Sequence, residues 1–185
     1  PTTLVAQIKK NGQAVLGLEA LIIEKIKELL SIISEAKGLL RVDVCHTWTE
    51  EEAKQVLRYY PEIIAKMVTA TRTTGNKDLT PMATVAGGIS DELADYLRQQ
   101  TKADYVTINN GGDIAIRLAK GQTLRLEILH GQDTDFCHKW RVDLKEDIRG
   151  VASSGLGGRS LTQGIANGVT VFSRSACLAD AWAPH

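Results

Sequence analysis

One stretch near the C-terminal end constrains this chain more than any other. It runs Gly150-Val-Ala-Ser-Ser-Gly-Leu-Gly-Gly-Arg-Ser160, then Gly168-Val-Thr-Val-Phe-Ser-Arg-Ser175, then Ala176-Cys-Leu-Ala-Asp180-Ala181. It reads as a strand, a glycine-rich loop, a second strand and a short helix that delivers one carboxylate. Glycine removes the Cβ clash, so such a loop can turn several backbone N–H groups toward one ligand. Ser153 and Ser154 add hydroxyls beside Gly155, and Arg159 adds a positive charge. These donors suit a phosphate or another anion. The plain alternative is an ordinary hairpin loop, and the ligand-binding reading is preferred. The motif is not a dinucleotide fingerprint. Ser160 stands where the third glycine belongs, no helical pattern follows, and no acidic residue lies at the required distance.

The earlier chain is expected to supply a layer of helices and the rest of a sheet. Residues 3–18 predict a hairpin turning at Asn11-Gly12, a pair that accepts left-handed torsions. Leu18, Ile22, Ile26, Leu29, Leu30 and Ile33 then fall on one helical face, with Gly38 as the expected stop. Thr49 and Glu52 fit a capping box. Pro61 interrupts or restarts the helix, and Ile63, Ile64, Met67 and Ala70 continue an apolar stripe to Thr74-Gly75. A further helix starts with Thr80 as N-cap and Pro81 at its first position. Its expected buried stripe is Met82, Val85, Ile89, Leu93 and Tyr96. Ala83, Ala86, Gly87 and Gly88 leave it an unusually small surface, which predicts that something approaches the helix backbone closely there.

After Thr101 the period changes to two. Tyr105–Asn109, Asp113–Leu118, Thr123–Leu129 and Trp140–Leu144 read as strands. Asn110-Gly111-Gly112 joins the first two, and a turn near Lys120-Gly121 joins the second to the third. Such short connections predict antiparallel pairing. The fold class is therefore α+β, an antiparallel sheet layered against helices, with residues 1–185 as one domain.

Composition excludes several function classes. There are 22 Lys plus Arg and 22 Asp plus Glu, so no net charge favours nucleic acid or an anionic membrane. Cys45, Cys137 and Cys177 form an odd set without paired spacing, which argues for a reducing cytoplasm. No apolar run reaches membrane-spanning length and no signal peptide is visible, so the expected location is cytoplasmic. Cys45-His46 and Cys137-His138 suggest zinc only if the two pairs meet, and adjacent strand residues point to opposite faces. His130, Asp133 and Asp135 read as a solvated polar loop.

Three further groups can bear chemistry. Asn110, Gly111, Gly112 and Asp113 either hold a ligand or simply form a turn. The helix start at Thr80, Met82, Ala83 and Thr84 offers N–H groups to an anion, although an ordinary capped helix looks the same. Asp180, among Ala179, Ala181 and Ala183, is either a metal ligand or a hydrogen-bonded structural carboxylate.

Taken in order, Pro81-Met-Ala-Thr-Val-Ala-Gly-Gly, Asn109-Asn-Gly-Gly-Asp113, Ser153-Ser-Gly155 and Ala179-Asp-Ala181 resemble the ApbE-like superfamily. The closer likeness is to a small uncharacterised branch related to the FAD:protein FMN transferases. Residues 61–183 carry the match; residues 1–60, a hairpin and helices, match loosely. The resemblance implies a T-fold-like α+β architecture with a site between sheet and helices. It implies FAD or FMN and Mg2+ as cofactors, a phosphate-bearing small molecule as partner, and allows a homodimer.

In the transferases a carbonyl, an Asp and a Thr hold magnesium. Asp180 matches that Asp, the carbonyl falls near Val85, and Pro184 occupies the Thr position. The family's lysine falls at Ala86, and the expected His-containing loop is replaced by Gly158-Arg-Ser-Leu-Thr-Gln-Gly164. Losing a ligand and a cation removes much of what offsets charge in phosphoryl-type transfer, so standard FMN transfer is not expected. Members of the similar branch are associated with homocysteine formation. That gives a second reading, a flavin-free role in sulfur assimilation, in which Cys177 is a reactive thiol or a buried small hydrophobe. A third reading is a non-catalytic scaffold.

Overall fold

The computed structural model describes residues 3–130, 138–145, 147–155, 166 and 168–184. It opens with a hairpin, strand β1 (Leu4–Lys10) and the short β2 (Gln13–Ala14). Asn11 (φ 52°) and Gly12 (φ 77°) take the left-handed torsions that the tight turn requires. Helix α1 (Glu19–Glu35) follows and ends at Ala36. Gly38 does not stop it. That glycine lies inside the short α2 (Lys37–Leu40), because Leu40 continues into the core and is fully buried. Helix α3 (Glu50–Tyr59) begins with the expected capping box: the Glu52 N–H donates to Thr49 Oγ1, and the Thr49 N–H donates to Glu52 Oε2. Helix α4 (Glu62–Thr74) starts after Pro61 and is capped by Gly75 at φ 64°.

Thr80 does precede a helix start, although its hydroxyl makes no capping bond. Pro81–Thr84 forms a 3₁₀ turn that leads into α5 (Val85–Thr101). Burial on α5 is broader than one stripe. Gly87, Gly88, Ile89, Ser90, Asp91, Leu93, Ala94 and Leu97 are buried, whereas Met82, Val85 and Tyr96 are only half-buried. The reason is that α5 lies between the sheet on one side and α4 with the last helix on the other.

Strands β3 (Tyr105–Asn110), β4 (Asp113–Leu118), β5 (Leu124–His130), β6 (His138–Leu144), β7 (Gly150–Gly155) and β8 (Gly168–Ser173) come next, then α6 (Ala176–Trp182). The main sheet is antiparallel, with strand order β2-β1-β3-β4-β7-β8. The expected pairing across Lys120-Gly121 does not occur. Strand β4 pairs with β3 and β7, and β5 leaves to form a separate ribbon with β6. Its apolar residues Leu124 and Leu126 are used on the far face of the main sheet, where they pack with Tyr105, Ile116, Leu118, Leu144 and Val151.

The other face of the sheet carries Ile8, Val106, Ile108 and Ala115, which pack against Leu93, Ala94 and Leu97 of α5. A second apolar layer joins α1, α2 and α4 to Ile89, Cys177 and Ala181. Each fully buried leucine in these layers contributes about 2 kcal/mol of transfer free energy. Among the described residues no helix is long and apolar enough to cross a membrane.

Candidate functional site

Strand parity decides which residues of the sheet face the helices. Asn110 pairs with Asp113, and Ile108 with Ala115, so Asn110 and Asp113 share the helix-facing side with these core residues. Gly111 (φ 70°) and Gly112 (φ 118°) make the connection, and the Gly112 N–H donates to Asn109 Oδ1 at 2.9 Å. On β7 the same side carries Ala152, which packs against Ala179 and Ala183 of the α6 region, and therefore Ser154. Ser153 points to the opposite face, where its hydroxyl meets that of Thr170 at 2.9 Å. The two adjacent serines are thus separated, and only Ser154 turns toward the helices.

The last helix enters this side at very close range. A Cβ on Gly87 would lie 2.4 Å from the Ala176 carbonyl oxygen and 2.8 Å from Asp180 Cβ. The small surface of α5 is filled by the backbone of α6, as its alanines and glycines suggested. Packed this closely, Asp180 accepts the Gly87 N–H through Oδ2 at 2.9 Å. It thereby satisfies a donor that the first turn of an α-helix leaves open.

Asp113 and Asp180 are 7% and 5% exposed. Burial pushes the Asp113 carboxyl up to about 6. Burial also holds the Asp180 carboxyl well above the usual range, the negative charge of Asp113 raises it further, and the Gly87 N–H partly opposes both. Among the described residues, neither has a cationic partner. Nearby polar groups are also unspent. Asn110 Nδ2 donates to the Ala86 carbonyl at 3.4 Å, but Asn110 Oδ1 and Ser154 Oγ are buried with no hydrogen-bond partner among the described residues. Buried polar atoms are rarely left in this state without a water, ion or ligand to meet them. All these atoms are oxygens, the donor chemistry of Mg2+ and similar hard cations. Among the described residues no group of three or more His, Cys, Asp or Glu side chains is arranged to hold a metal ion.

The remaining anticipated residues sit as follows. Thr84 is buried; its hydroxyl donates to the Pro81 carbonyl at 2.8 Å, and its own carbonyl lies 3.8 Å from Cys177 Sγ. Ala83 is exposed, while Thr80 and Met82 are half-buried, Met82 against the α1–α4 core. Gly155 ends β7 opposite Gly168. Arg159, Asp133, Asp135 and Cys137 lie outside the described residues. Cys45 is free, and its thiol donates to the Thr71 carbonyl at 3.5 Å, a contact that has no bearing on zinc. Cys177 is 1% exposed, and burial pushes its thiol pKa far up, the state of a small buried hydrophobe.

Sequence reasoning missed Asp91, Asp95 and Arg117, an ionic cluster in which Arg117 and Asp91 are buried and Asp95 reaches the surface. Two signals pointed to them. Asp91 and Asp95 are four apart on α5, hence on one face, and Arg117 interrupts the apolar run of β4 at the helix-facing parity of Asp113.

With this geometry in hand, comparison with known proteins places the chain. The family model described as "AbpE bacteria" matches residues 1–185. The chain belongs to this ApbE-like family. It is similar to a UPF0280 protein of Methanobrevibacter smithii, 39% identical over 122 residues, which are 64% of this chain and 48% of that protein. A UPF0280 protein of Methanosarcina barkeri is 37% identical over 122 residues, 65% of this chain and 46% of its own length. The chain therefore spans about half the length of the curated relatives it matches. Among solved structures, the flavinyl transferase ApbE of Pseudomonas stutzeri in its apo form covers the whole chain and 82% of its own, with a TM-score of 0.55 at 13% identity. That likeness establishes the ApbE fold for this member of the family.

Proposed function

We propose that this ApbE-like chain binds the phosphate-bearing part of a flavin- or nucleotide-like ligand, together with a divalent cation, on the helix-facing side of the sheet. The supporting observation is the buried acid pair Asp113 and Asp180, which lacks a cation among the described residues and lies in the region of the unpaired Asn110 Oδ1 and Ser154 Oγ. Two desolvated carboxylates repel each other when ionised, and a Mg2+ ion would offset that repulsion and supply charge to a phosphate. In this reading Asp113 and Asp180 hold the cation and Ser154 and Asn110 orient polar groups of the ligand. Standard FMN transfer is not part of the proposal, because Ala86 and Pro184 stand where the resemblance expects a lysine and a threonine.

Titration with FAD, FMN and ATP, each with and without Mg2+, tests the proposal by calorimetry or fluorescence. At least one is expected to bind, more tightly with Mg2+ and more weakly after Asp180→Ala. Absence of binding by all three in both conditions would remove the reading. Within the sulfur-assimilation alternative, thiol chemistry at Cys177 gains no support, since that residue is buried.

A further inference from the structure

Helix α6 carries Asp180 and is packed on several sides: Cys177 and Ala181 against the helical layer, Ala176 against the sheet-side core and Ala179 against Ala152, with Ser175 capping its start. It has seven residues, too few to persist alone in water. Its buried positions, Ala176, Cys177, Ala179, Asp180 and Ala181, offer small side chains and few ridges to fix its register. Two polar contacts with α5 compensate, and they are reciprocal. Asp180 of α6 accepts the Gly87 N–H at the start of α5, and Asp91 of α5 accepts the Cys177 N–H at the start of α6 through Oδ2, each at 2.9 Å.

The Asp91 contact is anchored from beneath. Its other oxygen, Oδ1, receives Arg117 Nη2 at 2.9 Å, and the two residues are 1% and 3% exposed. Arg117 also donates to Asp95 through Nε (2.6 Å) and Nη2 (2.8 Å), and through Nη1 to the carbonyls of Ile116 (3.1 Å) and Arg149 (3.2 Å). Every nitrogen of the guanidinium is engaged, so its orientation is fixed on β4, the strand that also carries Asp113. Asp180 lies three residues beyond Cys177, about 4.5 Å along the helix axis. Asp180 spends Oδ2 on the Gly87 N–H, which leaves Oδ1 to meet a ligand, whereas both oxygens of Asp91 are engaged within the chain.

We infer that Asp91, held by Arg117, is a positioning residue: it sets the register of α6 and so directs Asp180 toward Gly87 and Asp113. The inference rests on the proposed site for what Asp180 meets, but the geometry belongs to the chain without ligand. Removing Asp91 leaves Arg117 paired with Asp95, so the variant does not strand a buried cation.

The test compares Asp91→Ala and Asp91→Asn by amide hydrogen exchange and by Mn2+ affinity. Gly87 is the third residue of α5, and Asp180 is the partner of its N–H, so its exchange reports the direction of Asp180. Leu97, within the same helix, serves as the reference for overall stability. In Asp91→Ala, Gly87 is expected to exchange about tenfold faster relative to Leu97, with Mn2+ binding weakened by about tenfold or more. Asp91→Asn can keep its one oxygen on the Cys177 N–H only by turning its amide N–H toward Arg117, so it is expected to fall between wild type and Asp91→Ala in both. Asp91→Leu, which fills the volume without an acceptor, gives the same comparison should the alanine variant fail to fold. Unchanged Gly87 protection relative to Leu97 in a folded variant without the acceptor overturns the inference. A wild-type chain without Mn2+ affinity defeats the proposed function instead, while the exchange comparison still decides the role of Asp91.

Discussion

Asp113 gives up most of its hydration and receives no cation among the described residues in return. Its carboxyl is pushed up to about 6 by burial, against an ordinary value of 3.8. Between those two values the folded chain keeps a proton that the unfolded chain has released. Stability therefore falls as pH rises through that window and stays lower above it. Asp180 acts in the same direction. Asp113→Asn removes the ionisable group and keeps the shape. It is expected to flatten the pH dependence between about 4 and 6 and to raise ligand-free stability at neutral pH by about 1–3 kcal/mol. Urea unfolding below, within and above the window measures both effects; a variant with the wild-type slope would count against a strained Asp113. A carboxylate whose burial costs stability is intelligible if a bound cation offsets the cost.

At the scale of elements, the α5–α6 contact depends on one missing side chain. Gly87 and Gly88 are neighbours on α5 with different surroundings. A Cβ at Gly87 meets main-chain atoms of Ala176 at 2.4 and 2.7 Å, and main chain cannot step aside without moving α6. A Cβ at Gly88 meets Met67 Cγ at 3.3 Å, part of a flexible side chain. Gly87→Ala is expected to destabilise by about 3 kcal/mol and to weaken ligand binding, because Asp180 moves with α6. Gly88→Ala gains helix propensity against mild crowding and is expected to stay within about 1 kcal/mol of wild type. Urea unfolding of the two variants side by side tests the contrast. Equal losses would mean that α5 and α6 are not in close register.

Across the whole molecule, the Arg117 cluster ties the sheet, the α5 layer and the start of α6 into one unit. Arg117→Ala leaves Asp91 charged in a dry environment and is expected to cost about 3–5 kcal/mol, measured by urea unfolding at neutral pH. A loss under about 1 kcal/mol would show that the cluster is solvated. The sequence alone determined the elements whose causes are local. Asn11-Gly12 set the first turn, Thr49 and Glu52 the capping box, and Gly75 the end of α4, since each acts through torsions and hydrogen bonds within a few residues. The alternation of residues 105–118 likewise fixed the β3–β4 hairpin, and the order of short motifs pointed to the family. Tertiary structure decided the rest. Pairing β4 with β7 instead of β5, splitting Ser153 from Ser154, and setting Asp180 beside Asp113 across 67 positions all depend on contacts between distant segments. A one-dimensional pattern records which residues are apolar or permissive. Which distant surfaces meet is set by the burial they achieve together, and here that choice turns a structural helix into the carrier of a candidate ligand.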